Sequence, residues 1–531
     1  MAVLSCWLQS SLCRVFPTTQ PSNESELRLL AARDERISFQ VCLSNGTPKE
    51  CQAKVVVEAP GELAIQVRRV GFVPMQHHNT QTEEEELDGL GKIPGYVPDP
   101  LWPDDTVMLG PYETGAFWIN VTAPASTSPG VYPLPIRVLV GDESWKLQAI
   151  LNIRPLVIQP RQGFPVCHWF YADALCDWYK VEPFDEGFWK VVQPYMVDLV
   201  QHNEDSQYVP ILTPPTDGVK RPTQLLGVMM PKPGKYAFDF NTVRRWVRLA
   251  QRCGSQFFEW THLFTQWGAK YAPRIYRSNA DVNSLLWPAE TEATSEIYRT
   301  FLSQFLPAFY DFLRSENLLS RSLFHLSDEP HGDEHLASYS RAKETLRELA
   351  PWLRVADALS DIRFGREGVT DIPIPSISTA NQFATEGIPA WVYFCCGPRG
   401  KYLNRLMDTP LPKIRMSGWL FYHLKAHGFL HWGYNYWYKS QTQQLIDPFA
   451  EQAGCSWPGW AYGDTFLVYP GPNGPLDSIR WEIFGESMQD YALLQSANIS
   501  PDDPRLADLR DYNDFPKSEA WIQQFRQAVL A

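Results

Sequence analysis

An aspartate and a glutamate stand side by side in SLFHLSDEPHGDEH, where an apolar run gives way to Asp328, Glu329 and Pro330. Two adjacent carboxyls repel each other, and burial raises the pKa of at least one, which is the state a general acid needs. Neighbours in a regular strand point to opposite faces. Both can therefore reach one pocket only if the chain is already twisting into its loop, and Pro330 predicts that twist. The competing role, an acidic cap on the next helix, falls to Asp333 and Glu334, which lie nearer the helix start. Other chemistries lack a starting point. There is no H-E-x-x-H, H-x-H or Cys/His spacing for a metal, and His77-His78 falls in a polar loop expected to be exposed. There is no G-x-S-x-G elbow and no glycine-rich phosphate loop. Neither a metal nor a cofactor is expected.

A second set of residues collects around the ends of other apolar runs. Trp169, Phe170, Tyr171 and Asp173 close one, Trp260 and His262 another, Tyr393 a third, and Trp432, Tyr434, Asn435 and Trp437 a fourth, with Asp464 in the loop that follows. Singly, each reads more readily as core packing than as ligand contact. Together they crowd one rim with flat rings and a few polar groups, which suits a neutral ring bearing hydroxyls, a sugar. Carboxylate work on a glycosidic bond is then the leading chemistry. In many barrel glycosidases the second carboxylate ends the seventh strand, but AWVYFCCGPRGKYLNRLM contains no Asp or Glu. Either the nucleophile lies elsewhere, with Asp173 and Asp464 as candidates, or a 2-acetamido group of the substrate attacks its own anomeric carbon. In the second case Asp328 would hold the amide N–H and Glu329 would protonate the leaving oxygen. A sugar-binding protein without catalysis is a further alternative.

These residues need elements to position them. A chain of 531 residues exceeds what one hydrophobic core supports, so two domains are expected. Residues 1–158 carry short β-rich runs (RISFQVCLSN, CQAKVVVEAP, LAIQVRRVGF, GAFWINVTAP, SWKLQAILNI) bounded by turn formers, the pattern of an antiparallel β-sandwich. The acidic run Glu83–Glu86 reads as a solvated face, and YVPDPLWPDD as an ordered loop packed on a neighbour. Residues 159–531 alternate apolar strand candidates with amphipathic helices. Eight such strands fit a (β/α)8 barrel of TIM type, whose active sites lie at the C-terminal strand ends, with a helix over 517–530 packed outside.

Composition narrows the partners. The 47 basic and 60 acidic side chains give a net charge of −13, which argues against nucleic acid and anionic membrane surfaces. No apolar run approaches a membrane span. The ten cysteines are scattered without paired spacing, and the N-terminal stretch has no signal-peptide pattern, so a cytoplasmic location is expected.

ERISFQVCL, YVPDPLWP, HLSDEP, WVYFCCGPRGKYLNR, GFLHWGYNYW and the run from GDTFLVYPG to IRWE together resemble glycoside hydrolase family 123. The resemblance extends over nearly the whole chain to about residue 494. It implies an exo-acting β-N-acetylgalactosaminidase with a β-sandwich leading into a (β/α)8 barrel. It also implies a retaining outcome through an oxazolinium intermediate, and a partner that is a glycan or glycoconjugate ending in β-GalNAc. The family's catalytic Asp-Glu pair maps onto Asp328 and Glu329. Tyr393, Trp432, Asn435, Trp437 and Asp464 stand in family-like motifs and are expected in the sugar subsite, Tyr393 as donor to the acetamido carbonyl and Asp464 as acceptor from a ring diol.

Overall fold

The computed structural model describes residues 4–89, 93–214 and 221–531. Ten strands build the N-terminal region: β1 (Leu4–Ser10), β2 (Glu26–Arg33), β3 (Glu35–Asn45), β4 (Cys51–Val57), β5 (Ala64–Met75), β6 (Gly95–Trp102), β7 (Thr106–Leu109), β8 (Thr114–Ala123), β9 (Gly130–Val140) and β10 (Glu143–Val157). They form two five-stranded sheets, ordered β1-β3-β8-β5-β6 and β2-β10-β9-β4-β7. Alternation decides which face is buried: in β10, Leu147, Ala149, Leu151 and Ile153 point inward while Lys146 and Gln148 are exposed. Those residues share one apolar core with Phe39, Val41, Phe117 and Ile119 of the other sheet.

Two expectations for this region are corrected. The pairing is not antiparallel throughout, because β2 and β10 run parallel. The chain passes from β2 straight into the other sheet at Asp34 (φ 60°), so β2 cannot form a hairpin with β3 and lies beside the last strand instead. YVPDPLWPDD is not a loop, since most of it is β6. That strand is the edge of its sheet, where Pro98 and Pro100 cost no ladder hydrogen bond on the open side.

From residue 159 the chain alternates strand and helix. The first half comprises β11 (Val166–His168), α1 (Ala172–Tyr179), α2 (Glu186–Gln201), β12 (Ser206–Val209), the hairpin β13 (Gly227–Lys232) and β14 (Lys235–Asp239), α3 (Asn241–Cys253), β15 (Phe257–Trp260) and α4 (Glu296–Ser315). Then come β16 (Ser322–Phe324), α5 (Gly332–Leu349), β17 (Ala356–Ala358), α6 (Ile362–Arg366), β18 (Ile372–Ile374), α7 (Ala380–Thr385), β19 (Val392–Tyr393), α8 (Leu411–Arg415), α9 (Ser417–His423) and β20 (Phe429–His431). A hairpin of β21 (Val468–Gly471) and β22 (Gly474–Asp477) leads into α10 (Ile479–Ser496), and α11 (Glu519–Leu530) ends the chain.

Seven of the eight expected strand segments hold a strand, while the sixth, expected over 374–379, forms earlier at Ile372–Ile374; the ladders make three small parallel sheets, β12-β15-β16, β11-β20-β19 and β17-β18. Single parallel bridges, Phe324 to Val355 and Ser376 to Tyr393, join neighbouring groups. Between β11 and β12 carboxylates take the place of a backbone ladder: Glu204 accepts from the His168 N–H at 2.6 Å, and Asp205 from the Val166 N–H at 2.8 Å. Prolines at 165, 210, 373, 375 and 389 flank or interrupt these strands and limit the ladders.

The two regions meet along α10. Its expected apolar face (Trp481, Phe484, Met488) is buried, but so are Arg480, Glu482, Glu486 and Asp490 on the polar side. Arg480 forms a two-pronged pair with Asp99 of β6, at 3.0 Å on both arms. Glu482 receives Arg68, at 2.6 Å, and His202, at 3.1 Å. Glu486 bonds to Ser38 and Arg415, and Asp490 to Arg415 and Arg526. The terminal helix is therefore not a mere outer layer: Arg526 of α11 ties Asp490 to Glu35 of β3. In the acidic run, Glu83 to Glu85 are exposed as expected, but Glu86 sits between Lys413 and Lys517.

Candidate active site

The strand β16 stops at Phe324, so the Asp-Glu pair lies in the loop four residues beyond it. The loop is pinned from three directions. Beneath it, the Asp357 carboxylate of β17 accepts from the backbone N–H groups of Leu326, at 3.0 Å, and Ser327, at 3.2 Å. At its side, the Trp267 N–H donates to the Asp328 carbonyl at 2.7 Å, and the Gly268 and Ala269 N–H groups donate to Ser327 Oγ. At its tip, the Glu329 N–H donates to the Ala358 carbonyl at 2.9 Å. These bonds hold Glu329 at φ 44°, a left-handed conformation that a non-glycine residue adopts only when its surroundings impose it. The expected twist is thus present and sits at Glu329 itself.

Both carboxylates act on Tyr393, at the end of β19. Its hydroxyl donates to Glu329 Oε1 at 2.9 Å. Burial first, then the charges of Glu329 and Asp328 among others, drive the phenol well above its usual pKa, so it remains a proton donor. Asp328 is itself nearly buried. Next to Tyr393, Cys395 and Cys396 place their sulfurs 3.9 Å apart. The hydrogen bond between the thiols, burial, and the charges of Asp464 and Glu329 all raise Cys395, so it stays protonated. Through Tyr393 and Cys395 the structure brings Asp328, Glu329 and Asp464 into one electrostatic neighbourhood.

Under the loop runs a buried polar chain that the sequence reading missed. Glu259 Oε1 accepts from Trp169 Nε1 at 2.6 Å and contacts His325 Nε2 at 2.7 Å. The other nitrogen of His325 meets Asp357 Oδ1 at 3.1 Å, and Tyr339 donates to Asp357 Oδ2 at 2.6 Å. Burial opposes a charge on His325, but the carboxylates of Glu259 and Asp357 overcome it and raise its pKa to about 10, so the ring is an imidazolium between two carboxylates. The available signal was a charged residue inside each of three apolar strand segments: Glu259, His325 and Asp357. His262, His325 and Asp357 present ligand atoms close enough to share an ion. Both His325 nitrogens are already engaged with carboxylates, so these residues do not fit a metal without dismantling the loop's support.

The remaining expected residues divide. Trp432 is half-buried and donates its indole N–H to Asp464 Oδ2 at 2.9 Å, and its ring packs near Tyr436 and Trp460. Asp464 is enclosed, and its other oxygen lies 3.4 Å from His431 with no hydrogen-bond partner among the described residues. Asn435 is fully buried and clamps the backbone of Tyr171, accepting from its N–H at 2.9 Å and donating to its carbonyl at 3.1 Å. Trp437 is a core residue whose indole donates to the Val468 carbonyl. His262 is fully buried, stacked 4.4 Å from His325, and kept neutral by burial and the neighbouring His325 charge. Asp173 is buried in the first turn of α1. Asn435, Trp437 and His262 are therefore corrected from sugar contacts to supports, because neither ring nor amide faces open space.

With this geometry described, comparison with known proteins adds the family. A profile described as "Glycoside hydrolase 123, catalytic domain" matches residues 169–497. A solved family 123 glycoside hydrolase from Clostridium perfringens, studied for glycolipid glycan hydrolysis, is similar over 99% of this chain and 97% of its own, at 14% identity and a TM-score of 0.76. A glycoside hydrolase family 2 beta-galacturonidase from Eisenbergiella tayi is far less alike: it covers 92% of this chain and 72% of its own, at 9% identity and a TM-score of 0.33. No curated protein matches the chain. The profile spans the loop of Asp328 and Glu329, the Tyr393 strand and α10, and on that ground the chain is a glycoside hydrolase belonging to family 123.

Proposed function

We propose that the protein is an exo-acting, retaining β-N-acetylgalactosaminidase that uses the acetamido group of its substrate as nucleophile. In this reading the eight short parallel strands are the staves of a (β/α)8 barrel beginning near residue 159, and the two N-terminal sheets form a β-sandwich. The pair and Tyr393 then lie at the strand ends where barrel enzymes carry their sites. The observation that carries the proposal is the hydrogen bond from Tyr393 to Glu329 beside the buried Asp328, next to a strand end that offers thiols and no Asp or Glu of its own.

The acetamido oxygen attacks the anomeric carbon as the glycosidic bond breaks. Asp328 accepts a hydrogen bond from the amide N–H and balances the positive charge that develops on the oxazolinium ring. Glu329 transfers its proton to the departing oxygen, then takes one from the water that opens the ring. Tyr393 has one hydroxyl proton, directed at Glu329 in the free enzyme. It reaches the acetamido carbonyl only when Glu329 turns to the leaving oxygen.

The test compares aryl β-GalNAc, aryl β-GlcNAc and aryl β-galactoside, with GalNAc-thiazoline as inhibitor. Hydrolysis of the β-GalNAc substrate, blocked by the thiazoline, is expected. Turnover of the plain galactoside alone, insensitive to thiazoline, would transfer the nucleophile's role to an enzyme carboxylate.

A further inference from the structure

A cleft of about 500 Å³ opens beside the catalytic loop, between Thr213–Pro214 after β12, the segment Thr265–Tyr276 after β15, and Gln441 beyond β20. Its volume falls within the range of ligand sites, about 300–1,000 Å³. Its wall is continuous with the pair, because Trp267, which lines it, donates its backbone N–H to the Asp328 carbonyl. Trp267 is 47% exposed, an unusual cost for the largest apolar side chain. It is held at φ 59°, with Gly268 and Ala269 also at positive φ and fastened to Ser327. A flat, exposed ring fixed to the catalytic loop is suited to stack on a sugar face.

The charges in this cleft point to the kind of sugar. Lys270 and Arg274 both line it and both are exposed, and among the described residues neither has an ion-pair partner. Most arginines elsewhere on this acidic chain are paired, Arg244, Arg245 and Arg248 among them. Lys270 lies 5.3 Å over the Tyr271 ring, so its ammonium is held toward the cleft wall. One carboxylate, Glu290, shares the cleft without lying within salt-bridge distance of either cation.

We infer that this cleft is a leaving-group subsite for an anionic sugar, Trp267 stacking on its ring and Lys270 and Arg274 meeting a carboxylate or sulfate on it. The inference rests on the proposed β-GalNAc reading and adds the chemical class of the unit to which the terminal residue is joined.

The experiment uses the full chain with Glu329→Gln, which is expected to cleave disaccharides about 10²–10⁴-fold more slowly than the native chain and so to leave time for binding to be measured. Calorimetry compares methyl glycosides of β-GalNAc linked to glucose, to glucuronate and to a sulfated galactose. The uronate or sulfate ligand is expected to bind about five- to tenfold tighter than the neutral one at low salt, as two partly exposed ion pairs allow. The preference should shrink in 0.5 M salt by design, and vanish in Lys270→Ala/Arg274→Ala with neutral binding unchanged. The two anionic arms distinguish carboxylate from sulfate recognition. Equal binding of neutral and anionic ligands, or an anionic preference that survives the double substitution, overturns the inference. Neutral aryl β-GalNAc turnover by the native chain serves as a separate readout. Failure of the native chain to cleave that substrate counts against the β-GalNAc reading, whereas the calorimetric comparison reports on the cleft.

Discussion

At the scale of single residues, the two carboxylates are assigned different work, and variants separate it. Glu329→Gln should lower turnover about 10²–10⁴-fold for alkyl glycosides, whose leaving oxygen needs a proton, and much less for dinitrophenyl glycosides, which do not. Asp328→Asn should lower both substrate types by about 10²–10³, because every acetamido-assisted reaction needs the charge it balances. Steady-state kinetics across a leaving-group series checks both, and parallel losses for the two variants would undo the division. The adjacent pair was legible in the sequence because two neighbouring carboxylates before a proline have few structural uses. Its conformation was not legible. The left-handed turn at Glu329 is imposed by hydrogen bonds from Trp267 to Asp328 and from Glu329 to Ala358, partners 61 and 29 positions apart in the chain.

At the scale of elements, the strand ends carry aromatic and amide groups whose types announce a site but whose directions do not. Trp432, Asn435 and Trp437 lie within six residues, yet one reaches Asp464, one clamps Tyr171 and one joins the core. The chain leaves regular β structure after His431, so period-two alternation no longer says where each points. Asn435→Ala should cost about 1–3 kcal/mol for each Tyr171 backbone group left unpaired. Asn435→Asp should recover only part of this, since a carboxylate accepts from the Tyr171 N–H but cannot donate to its carbonyl. Urea denaturation of the three proteins measures the order, and an alanine variant as stable as the native chain would refute the clamp.

At the scale of the whole molecule, α10 is the joint between the N-terminal sheets and the α/β region, and its ionic side is buried. Removing one partner of such a pair strands the other charge, so Asp99→Ala should cost about 3–5 kcal/mol by uncovering Arg480. An unchanged unfolding midpoint would show that the joint contributes little. Stability should also depend on pH from both sides. His202 and His325 have ordinary values near 6.5 and are raised to about 10 in the fold, in each case by carboxylates that outweigh burial. Their contribution is complete below about pH 6.5 and is lost as pH rises through 10. His431 is lowered to about 4 by burial and by the charge of Arg405, so its contribution is present above 6.5 and lost as pH falls through 4. Thermal unfolding from pH 4 to 10 should show Tm highest near pH 6–7 and declining toward both ends. A Tm that climbs steadily from pH 7 to 10 would contradict the assignment of charged His202 and His325.

Local pattern alone determined which segments are strand or helix over most of the chain, where β-structure gives way to strand–helix alternation, and which adjacent acidic pair is the candidate for the chemistry. Each of these follows from side-chain periodicity, turn formers and the repulsion of adjacent charges, all of which act over a few residues. Tertiary structure alone decided that β2 runs beside β10, that YVPDPLWP is an edge strand, and that the polar face of α10 is buried. It also decided that Asn435, Trp437 and His262 support the site from behind. In each case the partner lies far away in sequence. A glutamate on a helix looks the same whether water or an arginine from another sheet will cover it, and only the folded chain brings that arginine there.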